Sequence, residues 1–376
     1  MHPRDLVCIA HGLWHAEGLT ARKCAMDLGK TSNKARWVGV LGCLALLVGC
    51  SREKTEPAAA PLPDTAASTP QPALTRLKLA LDWVAEPEFG GFYAARESGA
   101  FARHGLDVEL EGGGAGAPIV QRVAAGQVDF GTTGGDAVLT ARARGVDVVP
   151  LFAVYQTSPN AIMAHASRGA TTLAQVFSSG TIAMEPGLAY ALFLKKKYGF
   201  DKVKIVPYDG GIARFLADKE FAQQCFLTSE PLAARKQGAT PVVFKVADEG
   251  FNPYATVVVT RGELLRKSPE VVRAFVQAVR EGWRTYLDNP APANAVMAKL
   301  NTTMDAETFA GVAEAQKPLI ETGETRARGL GTMSRERWEA LGQQLVELGL
   351  FEKAPPVDEY LSPEFTRAAT VTAPPP

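Results

Sequence analysis

The sequence predicts an α/β protein made of two β/α lobes with a cleft between them. Short apolar strand patterns alternate with helical patterns from about residue 77 to residue 155, which is typical of parallel β/α units. The alternation then breaks and restarts near residue 181. A chain of 376 residues is also longer than one ordinary core requires, so two lobes with appendages are expected.

The first lobe is predicted to begin with an alternating strand at 77–81, a helix over 89–105 and a second strand at 106–110. Pro118 suits the first turn of a helix at 118–125, since the N–H that proline lacks would have no partner there. The other predicted elements are a strand at 128–130, a helix at 136–144 and a long apolar strand at 148–155.

The second lobe repeats this alternation. Its predicted elements are a strand at 181–184, a helix at 188–198, a strand at 203–206, a helix at 213–217 and an apolar segment at 224–227. A strand at 255–260 is expected to return to the first lobe, and the chain becomes helical from residue 268. The predicted lobes are therefore 76–165 together with 256–365, and 166–255. Chain crossings between two lobes place a cleft at their junction, where ligands bind preferentially.

The charge balance argues against one class of partner. Lys plus Arg and Asp plus Glu both number 40, so the formal net charge is zero, whereas a nucleic-acid-binding protein needs a basic face. Hydrophobic residues make up 46 % of the chain, as in ordinary globular proteins. Composition therefore predicts a large globular protein and no nucleic-acid partner.

The N-terminal segment resembles a bacterial lipoprotein leader. Basic residues between 30 and 36 precede an apolar stretch at 37–49, which is too short to span a bilayer as a stable helix. The stretch ends in Leu47-Val48-Gly49-Cys50, which is similar to the lipobox, whose cysteine is acylated. Residues 1–50 are thus expected to be a leader with lipidation at Cys50, and translation starts at Met1 or Met26. An uncleaved anchor is the alternative, which the polar residues directly after the cysteine disfavour.

Two segments are predicted to lack a fold of their own. Residues 51–75 are rich in Ala, Pro, Thr and Ser, and residues 366–376 end in three prolines. Such segments bury too little apolar surface to order themselves. The first is expected to tether the folded part to a membrane.

No constellation of catalytic or metal-binding residues stands out. Cys225 is the one cysteine after the predicted leader, so it forms neither a disulfide within the mature chain nor a zinc cluster and is predicted to be a buried, small apolar side chain. His104 and His165 have no nucleophile motif nearby, and we expect them to be surface or helix-end residues. We therefore predict no catalytic residues, no metal and no cofactor.

The stretch Leu81 to Ala95 resembles the opening signature of periplasmic binding proteins for thiamine pyrimidine precursors. Members begin with a strand, an Asp-Trp pair, a short loop and a Gly-Phe/Tyr-Tyr helix, as in Leu-Asp-Trp-Val-Ala-Glu-Pro-Glu-Phe-Gly-Gly-Phe-Tyr-Ala-Ala here. Four later segments also fit, namely 126–131, 226–231, 256–290 and 346–350. These later segments also occur in the wider group that binds alkanesulfonate, taurine and nitrate. The resemblance covers roughly residues 76–365.

The resemblance implies a type II periplasmic-binding fold, with two lobes that close on a ligand. It implies a solute-binding lipoprotein of an ABC importer, with a permease and an ATPase as partners, and a small heteroaromatic ligand of the formylaminopyrimidine or hydroxymethylpyrimidine type. A monomer on the periplasmic or cell-surface side of a bacterial membrane is expected. An alkanesulfonate, taurine or nitrate binder of the same fold is the first alternative, and a sensory subunit without import is another.

An enzyme is the remaining alternative. A eukaryotic branch of the same family makes the thiamine pyrimidine on this fold, consuming its own histidine and pyridoxal phosphate. That branch carries a cysteine-rich run before the returning strand. The matching stretch here, 251–255, reads Phe-Asn-Pro-Tyr-Ala and has no cysteine, so the sequence favours binding without turnover.

The candidate ligand contacts lie in the strand-to-helix turns and beside the crossings. A flat ligand would stack on Trp83, although a tryptophan packed under the loop fits equally well. Asp136 either meets the ligand or caps its own helix, and Glu230 either pairs with an aminopyrimidine or is a capping carboxylate. Glu88 is a weaker candidate. The full predicted set is Trp83, Phe89, Tyr93, Gly135, Asp136, Tyr155, Glu185, Tyr190, Tyr208, Glu230 and Tyr254.

Overall fold

A computed structural model describes residues 73–114 and 116–366. The predicted leader with Cys50, nearly all of the tether and the C-terminal tail lie outside these residues. The described strands are β1 (Thr75–Ala80), β2 (Leu106–Glu111), β3 (Phe130–Thr133), β4 (Val148–Tyr155), β5 (Asn160–His165), β6 (Thr181–Ala183), β7 (Lys204–Val206), β8 (Phe221–Phe226), β9 (Pro241–Lys245) and β10 (Ala255–Arg261).

The helices surround these strands on both faces. They are α1 (Gly90–Glu97), α2 (Ala100–Arg103), α3 (Ile119–Ala124), α4 (Gly135–Ala143), α5 (Leu173–Val176), α6 (Ala189–Tyr198), α7 (Ala213–Ala217), α8 (Glu230–Lys236), α9 (Gly262–Lys267), α10 (Pro269–Asp288), α11 (Ala291–Leu300), α12 (Ala306–Ile320), α13 (Gly323–Arg328), α14 (Arg335–Glu347) and α15 (Pro363–Thr366). In the part of the chain that the structure describes, no helix is both long and apolar enough to cross a membrane.

The strands form two five-stranded sheets with equivalent orders. The first sheet runs β2-β1-β3-β10-β4 and the second β7-β6-β8-β5-β9. In each sheet the first three strands are parallel, and a strand antiparallel to its neighbours, β10 or β5, lies between the third strand and the edge. The predicted pair of β/α lobes is therefore confirmed.

The chain passes between the sheets twice, after β4 and after β9. The predicted boundary at residue 165 comes one strand too late, because β5 pairs with β8 and β9 in the second sheet. The two crossing segments are joined by the Ser158 amide, which donates to Asn252 Oδ1 at 2.8 Å. Thr256 follows the second crossing with φ of 48°, a left-handed conformation that is strained for a β-branched residue.

Local chemistry explains where the elements differ from expectation. The single helix predicted over 89–105 is interrupted, because Gly99 adopts φ of 74° and separates α1 from α2. Strands β5 and β9 were absent from the prediction. Both lack the alternation of apolar and polar residues that marks a half-buried strand in a sequence, since β5 reads NAIMAH and β9 reads PVVFK.

The two glycines that open α1 have a packing role. A Cβ on Gly90 would meet the Tyr286 ring at 2.1 Å, and one on Gly91 would meet the Trp283 ring at 2.2 Å. Large rings of α10 therefore lie directly on the backbone of α1, an approach that only glycine permits. This packing holds the start of α1, and with it the turn after β1, against the first core.

Two smaller predictions have different outcomes. Cys225 is a buried free thiol, as predicted. His165 lies at a helix end, as the N-cap residue of a 3-10 turn at Ala166–Arg168, but it is not a surface residue. It is 3 % exposed, stacks on Phe215 at 3.9 Å between ring centroids and has Nε2 2.6 Å from the Phe215 carbonyl oxygen. A polar residue at the end of β5 is buried because the helix that precedes β8 covers it.

Candidate ligand-binding cleft

Each lobe has two strand-to-helix turns at the carboxyl ends of its first and third parallel strands. In the first lobe these turns follow β1, at 81–89, and β3, at 134. In the second lobe they follow β6, at 184–188, and β8, at 227–229. Open α/β sheets bind ligands at the carboxyl ends of their strands, so these turns define the candidate cleft.

The turn after β1 carries three carboxylates, on Asp82, Glu86 and Glu88. Asp82 is tied to β3, because its amide donates to Thr132 Oγ1 at 2.9 Å and its carboxylate accepts a hydrogen bond from the same hydroxyl. Glu86 and Glu88 flank Pro87, the first residue of a short 3-10 turn. Each is partly buried.

A buried network holds this turn in place. Gln316 of α12 is 0 % exposed. Its Nε2 donates to the Pro87 carbonyl at 2.9 Å, and its Oε1 accepts from the Tyr155 hydroxyl at 2.6 Å. On the other side of the turn, the Gly113 amide donates to the Trp83 carbonyl at 2.9 Å. The turn is therefore attached to α12, to the end of β4 and to the loop after β2.

Glu230 is the carboxylate of the second lobe, at the first residue of α8. It accepts hydrogen bonds from the Tyr208 hydroxyl at 2.5 Å and from the Phe226 amide at 2.8 Å. The Phe226 ring meets the Tyr155 ring edge to face, 6.3 Å between centroids. Glu230 thus lies where the second lobe adjoins the end of β4.

These four carboxylates act on one another. Burial, together with the charge of Glu230, raises the pKa of Glu86 to about 7. Burial, followed by the charges of Asp82, Glu86 and Glu230, raises the pKa of Glu88 well above its usual range. Burial also raises the pKa values of Asp82 and Glu230. The cleft therefore collects four carboxyl groups whose ionised forms are disfavoured by burial. The described residues contain no group of His, Cys, Asp or Glu arranged to hold a metal ion.

Two polar side chains adjoin Glu86. Both Trp83 and Asn301 act on its carboxylate so as to lower its pKa, against the larger effect of burial. Asn301 is 6 % exposed and its Oδ1 accepts from the Thr303 amide and hydroxyl. Its Nδ2 is buried and has no partner at normal hydrogen-bond geometry. Asn301 thus adjoins the acidic cluster formed by Asp82, Glu86, Glu88 and Glu230.

The turn after β6 is organised by Gln224 of β8. Gln224 Oε1 accepts from the Glu185 amide at 2.7 Å and from the Tyr190 hydroxyl at 2.5 Å, and its Nε2 donates to the Glu185 carboxylate at 3.2 Å. A pocket of about 290 Å³ lies at this turn. Its lining residues are Met184, Glu185, Pro186, Gly187, Leu188, Pro207 and Tyr208.

Four of the predicted aromatic contacts lie inside the cores. Phe89 and Tyr155 are 0 % exposed, and Tyr93 and Tyr254 are 2 % exposed. Tyr254 accepts from the Gly135 amide through its carbonyl at 2.9 Å, so the predicted backbone donor of the β3 turn is already paired. In this conformation these five residues support the cleft from beneath.

The remaining predicted residues lie at the turns. Trp83 is partly buried and packs on the first core from the acidic turn. Tyr208 and Tyr190 lie beside the second-lobe turn, where Glu185 is exposed. Asp136 lies in the first turn of α4, where burial raises its pKa against the opposing effect of its own amide and that of Ala137. That carboxylate therefore interacts with the N-terminus of its own helix.

Sequence reasoning missed four residues that shape the site. Asp82 was noted as part of the Asp-Trp pair but was not chosen as a contact. Gln224, Asn301 and Gln316 were not chosen either, since single amides in a strand, after a helix and within a helix give no local signal. The sequence did show Glu86 and Glu88 close together in the turn, and this acidic spacing was the available clue.

The sequence profile of the family described as "NMT1/THI5 like" matches residues 86–293. This chain belongs to that family. The match begins in the acidic turn and ends in α11, so it includes every turn of the cleft after Ala85.

Two relatives and one solved structure place the chain further. The riboflavin-binding protein RibY of Chloroflexus aurantiacus is 28 % identical over 346 residues, covering 87 % of this chain and 96 % of the relative. The formylaminopyrimidine-binding protein of Halalkalibacterium halodurans is 24 % identical over 280 residues, covering 71 % and 83 %. The periplasmic aliphatic sulphonate binding protein SsuA of Escherichia coli superimposes with a TM-score of 0.61 at 15 % identity, covering 78 % of this chain and 92 % of that one.

These relationships confirm the periplasmic-binding fold and the coarse function. The chain is a substrate-binding protein with this fold, because both curated relatives are binding proteins by name. An enzyme shares the fold as well. The desulfurization enzyme DSZB superimposes with a TM-score of 0.53 at 17 % identity, covering 77 % of this chain and 98 % of that one.

Proposed function

We propose that this protein binds a flat, nitrogen-containing heteroaromatic compound, with a thiamine pyrimidine precursor as the first candidate. The observation that carries the proposal is that the turn with Asp82, Glu86 and Glu88 and the helix start with Glu230 are both attached to Tyr155, one through Gln316 and the other through Phe226. Carboxylates accept hydrogen bonds from exocyclic amines and ring N–H groups. An aminopyrimidine offers such donors along one edge.

The apolar groups of the cleft suit the faces of a ring. Trp83 supplies an aromatic surface beside Glu86, and stacking on it would add to the burial of apolar area. Val84 and Leu188, one in each first turn, are large apolar side chains that remain 38 % and 42 % exposed. In this proposal Tyr208 holds Glu230, while Tyr190 and Glu185 border the ring through the second-lobe turn.

The acidic cluster argues against the anionic alternatives. Sulfonate, taurine and nitrate carry negatively charged groups that would approach Glu86, Glu88 and Glu230. Like charges repel strongly where the surroundings exclude water. The likeness to the sulphonate-binding protein concerns the fold, so it does not carry its ligand to this chain.

Riboflavin is the second candidate ligand. The observation that favours it is the higher identity and the nearly complete coverage of the riboflavin-binding relative. Its ring system is flat and its ribityl chain presents hydroxyl donors, which carboxylates also accept. Both candidates therefore place donors on the acidic turn and a ring near Trp83.

We infer binding without turnover, since the cleft holds acceptors and aromatic rings and no paired nucleophile and base among the residues described above. We further propose that Cys50 carries a lipid and that residues 51–75 tether a monomeric binding domain to the membrane. Cys50→Ser should release the protein into the soluble fraction with its folded domain intact. A Cys50→Ser protein that still sediments with membranes would contradict the anchor.

The ligand is tested directly by equilibrium titration of purified protein. Hydroxymethylpyrimidine, formylaminopyrimidine, riboflavin, taurine, ethanesulfonate and nitrate are titrated while tryptophan fluorescence and heat are recorded. We expect a pyrimidine or riboflavin to bind at least about 100-fold more tightly than any anion, a difference of about 3 kcal/mol. Tight taurine or sulfonate binding, with Glu230→Gln neutral, would overturn the proposal. Conversion of histidine and pyridoxal phosphate to a pyrimidine would overturn the inference of no turnover.

A further inference from the structure

The two lobes present carboxylates to each other across the cleft. Glu86 directly precedes Pro87 in the turn after β1, and Glu230 begins α8 of the opposite lobe. A chain of contacts joins them, because Gln316 bonds both the Pro87 carbonyl and the Tyr155 hydroxyl, and the Tyr155 ring contacts Phe226. Glu230 has little freedom to turn away, because one carboxylate oxygen accepts from Tyr208 and the other from the Phe226 amide. Contact between the Phe226 and Tyr155 rings keeps this end of the second lobe against the first.

The polar groups around Glu86 are carboxylates, which accept hydrogen bonds, and the uncharged N–H groups of Trp83 and Asn301, which donate them. The pKa of Glu86 is raised by the charge of Glu230 in α8 and lowered by the side chains of Trp83 and Asn301. Asp82 and Glu88 belong to the same turn as Glu86. The charged groups that act on Glu88 are Asp82, Glu86 and Glu230, all acidic. The buried Nδ2 of Asn301 has no partner at normal hydrogen-bond geometry, but the Asn301 side chain adjoins Glu86 and favours its ionised form.

We propose that the occupied cleft holds one positive charge between Glu86 and Glu230, which either a cationic ligand supplies or a proton supplies when the ligand is neutral. This inference rests on the proposed site but not on which ring compound fills it. A ligand displaces water from between the two carboxylates and lowers the local dielectric constant, which strengthens their repulsion. A positive charge between the two carboxylates attracts both of them and so offsets their mutual repulsion.

The raised pKa of Glu86 is consistent with a need for a positive charge or a proton at this position. Burial and the Glu230 charge raise the pKa of Glu86 to about 7, so near neutral pH Glu86 is already poised to take up a proton. Further desolvation by a neutral ligand raises the pKa again and draws a proton from solution. A cation has the opposite effect, because it stabilises the ionised carboxylate.

A pair of fragments of equal shape tests the charge alone. Benzamidinium and benzamide are both flat and of the same size, but benzamidinium is a cation. We expect benzamidinium to bind the full-length protein at pH 8 at least about 10-fold more tightly than benzamide, since an ion pair in a partly desolvated site favours it by that order. Glu86→Gln and Glu230→Gln should each reduce this preference, whereas Glu109→Gln, an exposed change on β2, should preserve it. Melting curves establish that each variant is folded.

Proton uptake tests the neutral case. Riboflavin is titrated at pH 8 in phosphate and in Tris, whose ionisation heats differ, and the difference in observed heat measures the protons bound. We expect uptake of about one proton, with Glu86→Gln lowering it toward zero. Equal binding of benzamidinium and benzamide, no benzamidinium binding at 10 mM, or riboflavin binding without proton uptake would each overturn the inference.

The two proposals fail in different ways. If neither pyrimidines nor riboflavin bind but benzamidinium is preferred over benzamide, the ligand assignment is wrong and the charge requirement stands. If a pyrimidine or riboflavin binds tightly with no proton uptake and no preference between the fragments, the ligand assignment stands and the charge requirement is wrong.

Discussion

The two lobes share one strand order but differ in how their first turns are built. The turn after β1 is acidic and is attached from beneath through Gln316, Tyr155 and Thr132. The turn after β6 exposes its residues 185–188 and is attached chiefly through Gln224. The same topology therefore supports two different turns. We call the turn at 81–89, which carries Asp82, Glu86 and Glu88 and is held by several hydrogen bonds, the acidic platform; the turn at 185–188 is more exposed and less firmly held.

The second turns show the same contrast in reverse. After β3, the helix begins with Gly135, whose amide is paired with the Tyr254 carbonyl. After β8, the equivalent helix begins with Glu230, whose carboxylate faces the acidic platform. The two equivalent helix starts therefore differ. At α4 the first amide is paired with another backbone group and Asp136 lies on its own helix, whereas at α8 the Glu230 carboxylate accepts from Tyr208 and Phe226. The topology therefore sets where the four turns lie, and the individual residues in each turn determine its charge and its hydrogen bonds.

The largest effect is expected from removing the support of the acidic platform. Gln316→Ala leaves the Tyr155 hydroxyl and the Pro87 carbonyl without their partners in a fully buried site. We expect the free energy of unfolding to fall by about 2–4 kcal/mol, since each buried polar group left unpaired costs about 1–3 kcal/mol. Urea unfolding measures it, with Gln343→Ala on the exposed face of α14 as the control. A loss as small as that of the control would contradict the platform.

Removing the aromatic surface of the platform should affect binding. Trp83→Ala is expected to weaken pyrimidine or riboflavin binding by about 1–3 kcal/mol, roughly 5- to 150-fold. Fluorescence or calorimetric titration measures the affinity, and a melting curve recorded alongside separates lost stacking from lost folding. The informative result is weaker binding with an unchanged melting temperature. Unchanged affinity would mean that Trp83 only packs beneath the turn.

The charge of the platform predicts a pH dependence of stability. Burial and the charge of Glu230 raise the pKa of Glu86 from its ordinary value of 4.5 to about 7 in the folded protein, so the folded state retains a proton that the unfolded chain loses between those values. Stability should therefore fall as the pH rises from about 4.5 to about 7 and then level off, by about 1–3 kcal/mol from this group. Urea unfolding from pH 4.5 to 8.5 measures the slope.

Glu86→Gln is the variant that isolates this effect. It should make the pH dependence shallower, with the remaining slope due to Glu88, Glu230 and Asp82, whose pKa values are also raised. At pH 8 the variant should be more stable than the parent protein, although it binds ligand less well. A variant with an undiminished slope would show that Glu86 titrates normally.

The smallest effect is expected in the second-lobe turn. Gln224→Ala removes three hydrogen bonds to Glu185 and Tyr190, but water can replace those at the exposed Glu185. We expect a stability loss of about 1–2 kcal/mol, since only the hydroxyl of the buried Tyr190 loses a partner that water does not readily replace. A loss equal to that of Gln316→Ala would show that the two turns are held with equal strength.

The sequence by itself determined the alternation of strands and helices, the break between lobes and the turns that carry the candidate residues. These features follow from local rules, since apolar periodicity and turn residues are read within a few positions. The glycine pair of α1 and the acidic spacing of the turn after β1 were visible in the same way. The family resemblance on 81–95 then indicated the fold that the two sheets confirm.

Only the tertiary structure decided which of those residues face the cleft. Phe89, Tyr93 and Tyr254 are as aromatic as Trp83, yet helix packing buries them. Strand β5 joins the second sheet because its partners, β8 and β9, come much later in the chain. The meeting of Glu86 with Glu230 likewise depends on two chain crossings. Contacts between distant segments are set by packing and produce no periodic pattern in the sequence. The sequence therefore indicated these residues as candidates but did not predict which of them lie close together.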